Sequence, residues 1–249
     1  MVHNANDQID AFEDAARLAS LKGLTRFTRF LDPAQVVQAE RIAHSQGARF
    51  SSWGGYPDAE RVVGCFHPYE EDVETEGFPI VCLHAKINPR FNSVTHRDLL
   101  GAFMALGLTR ACIGDMIISE KDVYLFSMSQ TSEFVAGALT SAGKTPLSFS
   151  VLDCIPDMPE PAGSTFSAVV SSLRLDAVLA AAYRLSRSEA AEVIREGLVK
   201  VNHIPCERTD FPLKEGALLS LRGKGRVRLS NIQGLTKKQR IGISLFRYE

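Results

Sequence analysis

At 249 residues, with 45% hydrophobic and 23% charged side chains and a formal net charge of −1, the chain has the composition of ordinary soluble globular material and enough length for two or three cores. No run of about 18 apolar residues occurs, which excludes a membrane-spanning helix, and the acidic start MVHNANDQIDAFEDAARL lacks the order of a signal peptide, so the expected location is the cytoplasm. Five cysteines, an odd number with no C-x-x-C pair, encode neither a disulfide framework nor a zinc site and are expected as reduced thiols.

Residues 1–75 read as a mainly helical α/β region. Ile9, Phe12, Ala16 and Ala19 recur along one helical face before Gly23. Asp32-Pro33-x-Gln35 supplies an N-cap, a first-turn proline and a capping partner for a second helix, with Gly47 as its stop. Arg49–Tyr56 reads as a strand and loop punctuated by Gly54 and Gly55, and 58–61 is expected to begin another short helix. The acidic run from Glu70 to Glu76 reads as a solvated loop.

Residues 76–155 read as a second unit. A strand over Phe78–Ile87 precedes a helix capped by Thr95, carrying Leu99, Phe103 and Leu106 and stopped by Gly107. Met116–Ser119 and Val123–Met128 make a hairpin. A helix with Phe134, Val135, Ala138 and Leu139 is expected to run to Gly143, before a last strand at Leu147–Leu152. The order β-α-β-β-α-β is the ferredoxin-like pattern, shared by RNA-recognition domains and many unrelated functions. Tyr124, Phe126 and Met128 fall on one strand face, where such a domain would stack bases. The glycine-flanked aromatic signature is absent, which favours core packing for them.

Pro156–Gly163, with three prolines, is the expected linker to a third unit at 165–249. There Leu175, Val178, Leu179 and Ala182 mark a helix, and Ser186-x-x-Glu189 is a capping box that starts another at Arg187. Its apolar side is Ala190, Val193 and Ile194, and Gly197 ends it. Strands follow at Leu198–Asn202, Ala217–Arg222 and Arg226–Ser230. The fold class is therefore α+β, with basic residues repeated at the element ends of the last unit.

The small net charge conceals a segregation. Residues 172–249 hold 15 Lys and Arg against 8 Asp and Glu, or +7, which leaves −8 for residues 1–171. A basic module on an acidic body suits a protein that meets one polyanionic surface in a fixed orientation. Arg184, Arg195 and Arg208 belong to no motif and read as surface solvation.

RLD at 174–176, SR at 186–187, EGLVKVN at 196–202 and EGALLSLRGKGR at 215–226 together resemble the RNA-binding domain named after ribosomal protein S-four. The resemblance implies that both helices lie across a nucleic-acid backbone with Arg174, Arg187, Lys200 and Arg222 on the binding face. Ser186, Asn202, Lys224 and Arg226 join them as matched motif positions. Guanidinium forks suit phosphate oxygens, and a helix start adds N–H donors. Further phrases, RFLDPAQ (29–35), GGYPDAER (54–61), HRDLLGAFMALGLTR (96–110), IGDMI (113–117) and GLTKKQRIGISLFRY (234–248), extend the likeness over nearly the whole chain to the YlmH family of bacterial proteins. That resemblance implies binding to rRNA and tRNA on the large ribosomal subunit, in rescue of obstructed subunits by ribosome-associated quality control, with a quality-control protein factor as a further partner. Family members are also linked to cell-division operons.

Fragments that imitate catalytic motifs fail on spacing. His96-Arg97-Asp98 is similar to a kinase catalytic loop, but Phe103 stands where Asn is required, and Thr95 with Asp98 reads as a helix cap. Gly137–Thr145 has five residues between its glycines where a phosphate loop needs four, and it sits at a helix end. Asp176 in RLD matches a catalytic Asp of pseudouridine synthases, yet no large catalytic domain follows it, so it reads as a favourable helix-start charge. The six histidines are scattered. The expectation is a non-enzyme with no catalytic residues, metal or cofactor. An RNA-modifying enzyme with an unrecognised site in 1–155 and a cell-division adaptor are the alternatives.

Overall fold

In the computed structural model, which describes residues 5–57, 59–88, 94–153, 158, 163–235 and 239–248, the stripe Phe12, Ala16 and Ala19 forms the buried side of α1 (Ala5–Lys22). β1 (Arg26–Leu31) leads to α2 (Pro33–Ser45), which starts on the expected signal. Gln35 N donates to Asp32 Oδ1 (2.9 Å), and Asp32 N donates to Gln35 Oε1 (2.7 Å). β2 (Arg49–Trp53) and β3 (Val62–His67) complete an antiparallel sheet in the order β1-β3-β2. The helix expected from residue 58 does not form. Asp58 lies outside the described residues, and 59–61 are irregular because the Glu60 and Arg61 N–H groups donate to Asp115 (2.6 and 3.2 Å) instead of a helical ladder.

The next stretch contains the expected strands and helices, with a further hairpin inserted before the last strand. β4 (Ile80–Lys86), α3 (His96–Ala105), β5 (Ile113–Ile118), β6 (Asp122–Met128), α4 (Ser129–Ala138), the hairpin β7 (Ser141–Ala142) and β8 (Thr145–Pro146), and β9 (Ser150–Val151) run in sequence. The main sheet is antiparallel in the order β5-β6-β4-β9. Thr95 caps α3 and makes a capping box with Asp98, whose carboxyl is held below the usual range by those Thr95 hydrogen bonds. α4 stops at Ala138, short of the expected Gly143. Gly143, at φ +58°, instead turns the β7–β8 hairpin, so the phosphate-loop look-alike opens no helix. The expected strand over 147–152 shortens to β9, while Leu147 and Phe149 bury their side chains.

The face of this sheet that carries Cys82, Phe126 and Met128 packs on Phe30, Val63 and Cys65 of the first sheet. Phe126 is fully buried and stacks on Tyr56 at 4.9 Å. The Phe126 and Met128 end of the aromatic stripe is thus core. Gly55, at φ +100°, has no room for a side chain, since a Cβ there would lie 2.4 Å from the Phe126 ring. Burial pushes the thiols of Cys65 and Cys82 up to about 12. Cys112 is also a buried free thiol and Cys206 a half-buried one; Cys154 lies outside the described residues.

Contact density divides the chain into Met1–Pro159 and Glu160–Glu249. The expected linker at 156–163 falls outside the described residues except for Met158 and Gly163. The second unit comprises β10 (Gly163–Val170), α5 (Leu175–Tyr183), α6 (Arg187–Arg195), β11 (Val199–Val201), β12 (Ile204–Pro205), β13 (Leu218–Leu221), β14 (Gly225–Leu235) and β15 (Ile241–Tyr248). Its antiparallel sheet has the order β10-β15-β14-β13-β11-β12. Alternation turns Val199, Val201, Leu219, Leu221, Val227, Leu229, Ile243 and Leu245 onto the two helices, where they join Leu175, Val178, Leu179, Ala190 and Ile194 in one core. Among the described residues no helix is long and apolar enough to cross a membrane.

Candidate nucleic-acid interface

The helix pair is positioned by local signals. α5 ends on Arg184 in the left-handed conformation (φ +54°), and two residues later Ser186 caps α6. Glu189 N donates to Ser186 Oγ (3.2 Å), and Ser186 N donates to Glu189 Oε2 (2.7 Å). Donation from the Ser186 backbone N–H, with its side chain next, holds the Glu189 carboxyl below the usual carboxylate range, and the charge of Lys224 is a smaller cause. Arg187 and Ser188, at the first two helical positions, have N–H groups with no intrahelical acceptor. The start of α5 is different: Leu175 N donates to Phe211 O (2.9 Å) and Asp176 N to Thr209 O (3.0 Å). Helix-start donors for an anion are therefore a property of α6, whereas α5 spends its own on a neighbouring loop.

Arg174 and Arg187 are drawn together by Asp176. Arg187 Nη2 donates to Asp176 Oδ2 at 2.7 Å and Arg187 Nη1 to Ser171 Oγ at 3.3 Å. Arg174 Nε and Nη2 reach the two Asp176 oxygens at 3.3 and 3.5 Å. The carboxylate is 10% exposed and each arginine side chain 48%. A nearly buried anion thus holds two half-exposed guanidiniums, which leaves a net positive charge facing solvent. Asp176 does occupy the helix-start position anticipated for it, but its bridging to Arg187 was missed, because nothing in chain spacing links residues 11 apart in two different helices.

The other expected residues sit elsewhere on the unit. Arg222 and Lys224 are exposed at the β13–β14 turn, near α6 through the Lys224 influence on Glu189. Lys200 and Arg226 face away from the core in one cross-strand row, Lys200–Ser220–Arg226. Asn202 is occupied with the fold: at φ +48° its N–H donates to Leu218 O and its Oδ1 accepts from Leu218 N, both at 2.8 Å. Of the three arginines read as surface solvation, Arg208 pairs with Asp210 (3.5 Å) and Arg195 is exposed at the last position of α6.

In the first unit, the GGYPDAER and IGDMI phrases meet in a polar knot. Asp115 accepts from the Tyr56 hydroxyl (2.8 Å) and from the Glu60 and Arg61 N–H groups, while Arg61 donates to the carbonyls of Ile113, Phe30 and Arg110. Arg110 donates to the carbonyls of Ile113 and Gly114. Burial, helped by the neighbouring Arg61, pulls Arg110 down to about 10, so it stays charged at neutral pH. These residues satisfy buried backbone groups and tie the two sheets together. Among the described residues, no group of three or more His, Cys, Asp or Glu is placed to hold a metal.

Residues 73–154 match the family model "Putative RNA-binding domain in YlmH", and residues 173–219 match that of the S4 domain. The chain is 36% identical over 241 residues to "Ribosome-associated protein quality control protein P2" of Bacillus subtilis, covering 96% of this chain and 93% of the relative. "Cell division protein ylmH from Streptococcus pneumoniae" has a similar fold at a TM-score of 0.51 and 21% identity, over 61% of this chain and 94% of that one. With that near full-length identity and a C-terminal S4 domain whose two helix starts carry the arginine pair, the chain belongs to the YlmH family.

Proposed function

We propose that this protein is a non-enzymatic RNA-binding translation factor of the cytoplasm. It binds rRNA and tRNA on the large ribosomal subunit carrying peptidyl-tRNA, in ribosome-associated quality control, alongside a protein factor of that process. The observation that carries the reading is the Asp176-held pair of Arg174 and Arg187 beside the capped start of α6. Two oriented guanidiniums and a helix N-terminus converge on one patch, the combination that receives a backbone phosphate bidentately. The printed name of the Bacillus subtilis relative supports the ribosomal setting. Lys224 and Arg222 on the neighbouring turn extend the basic edge.

Sedimentation with large ribosomal subunits tests this directly. Arg174→Ala and Arg187→Ala are each expected to weaken binding by about 1–3 kcal/mol, the range for charge-assisted hydrogen bonds. Arg195→Ala, at the C-terminal end of α6 where the dipole disfavours an anion, is expected to do much less. Equal losses at Arg187 and Arg195 in folded variants would point to a diffuse charge cloud and against an ordered site.

A further inference from the structure

The face of the C-terminal sheet turned away from α5 and α6 carries an ordered set of side chains. Strand register lines up Lys200, Ser220 and Arg226 across β11, β13 and β14, and Tyr248 opposite Gly163 across β15 and β10. A second row runs Leu218, Arg228, Phe246, Thr165. The Arg226 guanidinium lies 5.2 Å from the centre of the Tyr248 ring and that of Arg228 lies 5.8 Å from it. Phe246 meets Tyr248 edge-on at 5.0 Å. Gly163 is required beside them: a Cβ there would come within 2.5 Å of the Phe246 ring and 2.2 Å of the Arg247 carbonyl oxygen.

We propose that this sheet face is a second RNA surface, one that takes unpaired nucleotides by stacking a base against the Tyr248–Phe246 cluster while Arg226, Arg228 and Lys200 meet the phosphates. Aromatic rings interleaved with cations are what single-stranded nucleic acid requires, because every base offers a π-face and every linkage a negative charge. The two rows place three cations, Lys200, Arg226 and Arg228, beside the aromatic rings, which suits a polyanion. Guanidiniums already placed over a ring are pre-organised for a base entering the same stack. A duplex, with its bases enclosed, could use only the charges. The inference rests on the reading of the chain as an RNA binder, but it concerns the opposite face of the sheet from the helices that bear Arg174 and Arg187.

Fluorescence anisotropy of the full-length protein with a labelled oligouridylate, and separately with a blunt RNA duplex, tests it. Tyr248→Leu keeps apolar bulk but removes the π-face; it is expected to weaken oligouridylate binding roughly tenfold and leave duplex binding unchanged. Tyr248→Phe should bind the oligouridylate like the unaltered protein. Arg226→Gln, on an exposed side chain, is expected to weaken oligouridylate binding as well and keeps the test open should Tyr248→Leu fail to fold. Unaltered oligouridylate binding in folded Tyr248→Leu, or an equal loss in Tyr248→Phe, overturns the proposal. Duplex binding that is lost in Arg187→Ala, with no oligouridylate binding by the unaltered protein, overturns the sheet-face proposal alone, whereas binding to neither probe overturns the RNA reading beneath it.

Discussion

Asp176 decides whether the two arginines act as a site or as loose charge. Its carboxylate subtracts one charge from a surface meant to attract a polyanion, so simple charge counting makes its removal favourable for RNA. Orientation argues the other way, because a guanidinium free to sample its rotamers must be ordered again on binding, at about 0.5–1.5 kcal/mol for each such side chain. Asp176→Ala is therefore expected to weaken binding to large ribosomal subunits even though the net charge becomes more positive. The freed guanidiniums are half-exposed and water can solvate them, so the stability cost should stay near 1–2 kcal/mol, below that of severing a fully buried pair. Sedimentation and thermal melting of this one variant measure both quantities, and tighter binding would show that the carboxylate merely competes with phosphate. The RLD motif made Arg174 and Asp176 visible in the sequence. Their convergence with Arg187 and Ser171 depends on how α5 packs against α6, which no local pattern states.

At the level of elements, the capping boxes were legible and long-range pairings were not. The capping boxes at Asp32, Thr95 and Ser186 all form, because each is made within a single turn of chain. β10 and β15 went unrecognised although Phe166, Ala168 and Val170 alternate in one and Ile243 and Leu245 in the other, since their partnership joins positions such as Gly163 and Tyr248. β3, which carries no strand signal beyond the helix start expected at 58–61, is the central strand of its sheet for the same reason. The Ser186 cap allows a quantitative check: Ser186→Ala should cost about 1 kcal/mol of stability. Glu189 contributes with a definite pH sense. Its folded pKa lies below the ordinary 4.5, so its contribution is fully present above that value and is lost as pH falls through the depressed folded value. Glu189→Gln can still accept from Ser186 N but does not titrate, and its melting temperature should fall less on acidification than that of the unaltered protein. Parallel acid melts of the two proteins would refute this assignment if their slopes matched.

Over the whole molecule, the +7 of residues 172–249 is nearly cancelled by the −8 of residues 1–171, so long-range attraction to RNA is weak and affinity has to come from contacts made at short range. Such contacts leave a countable trace, because each phosphate neutralised releases condensed counterions and steepens the fall of log K with log salt by roughly 0.7 to 0.9. Arg187→Ala should therefore weaken binding of the full-length protein to structured RNA and also make that slope shallower by about 0.7–0.9. Arg195→Ala removes the same formal charge from the same helix and should leave the slope nearly unchanged. Titrations at several monovalent salt concentrations separate the two cases. Slopes that change equally would mean that the acidic and basic halves act only through their summed field, and the ordered patch at the start of α6 would lose its role.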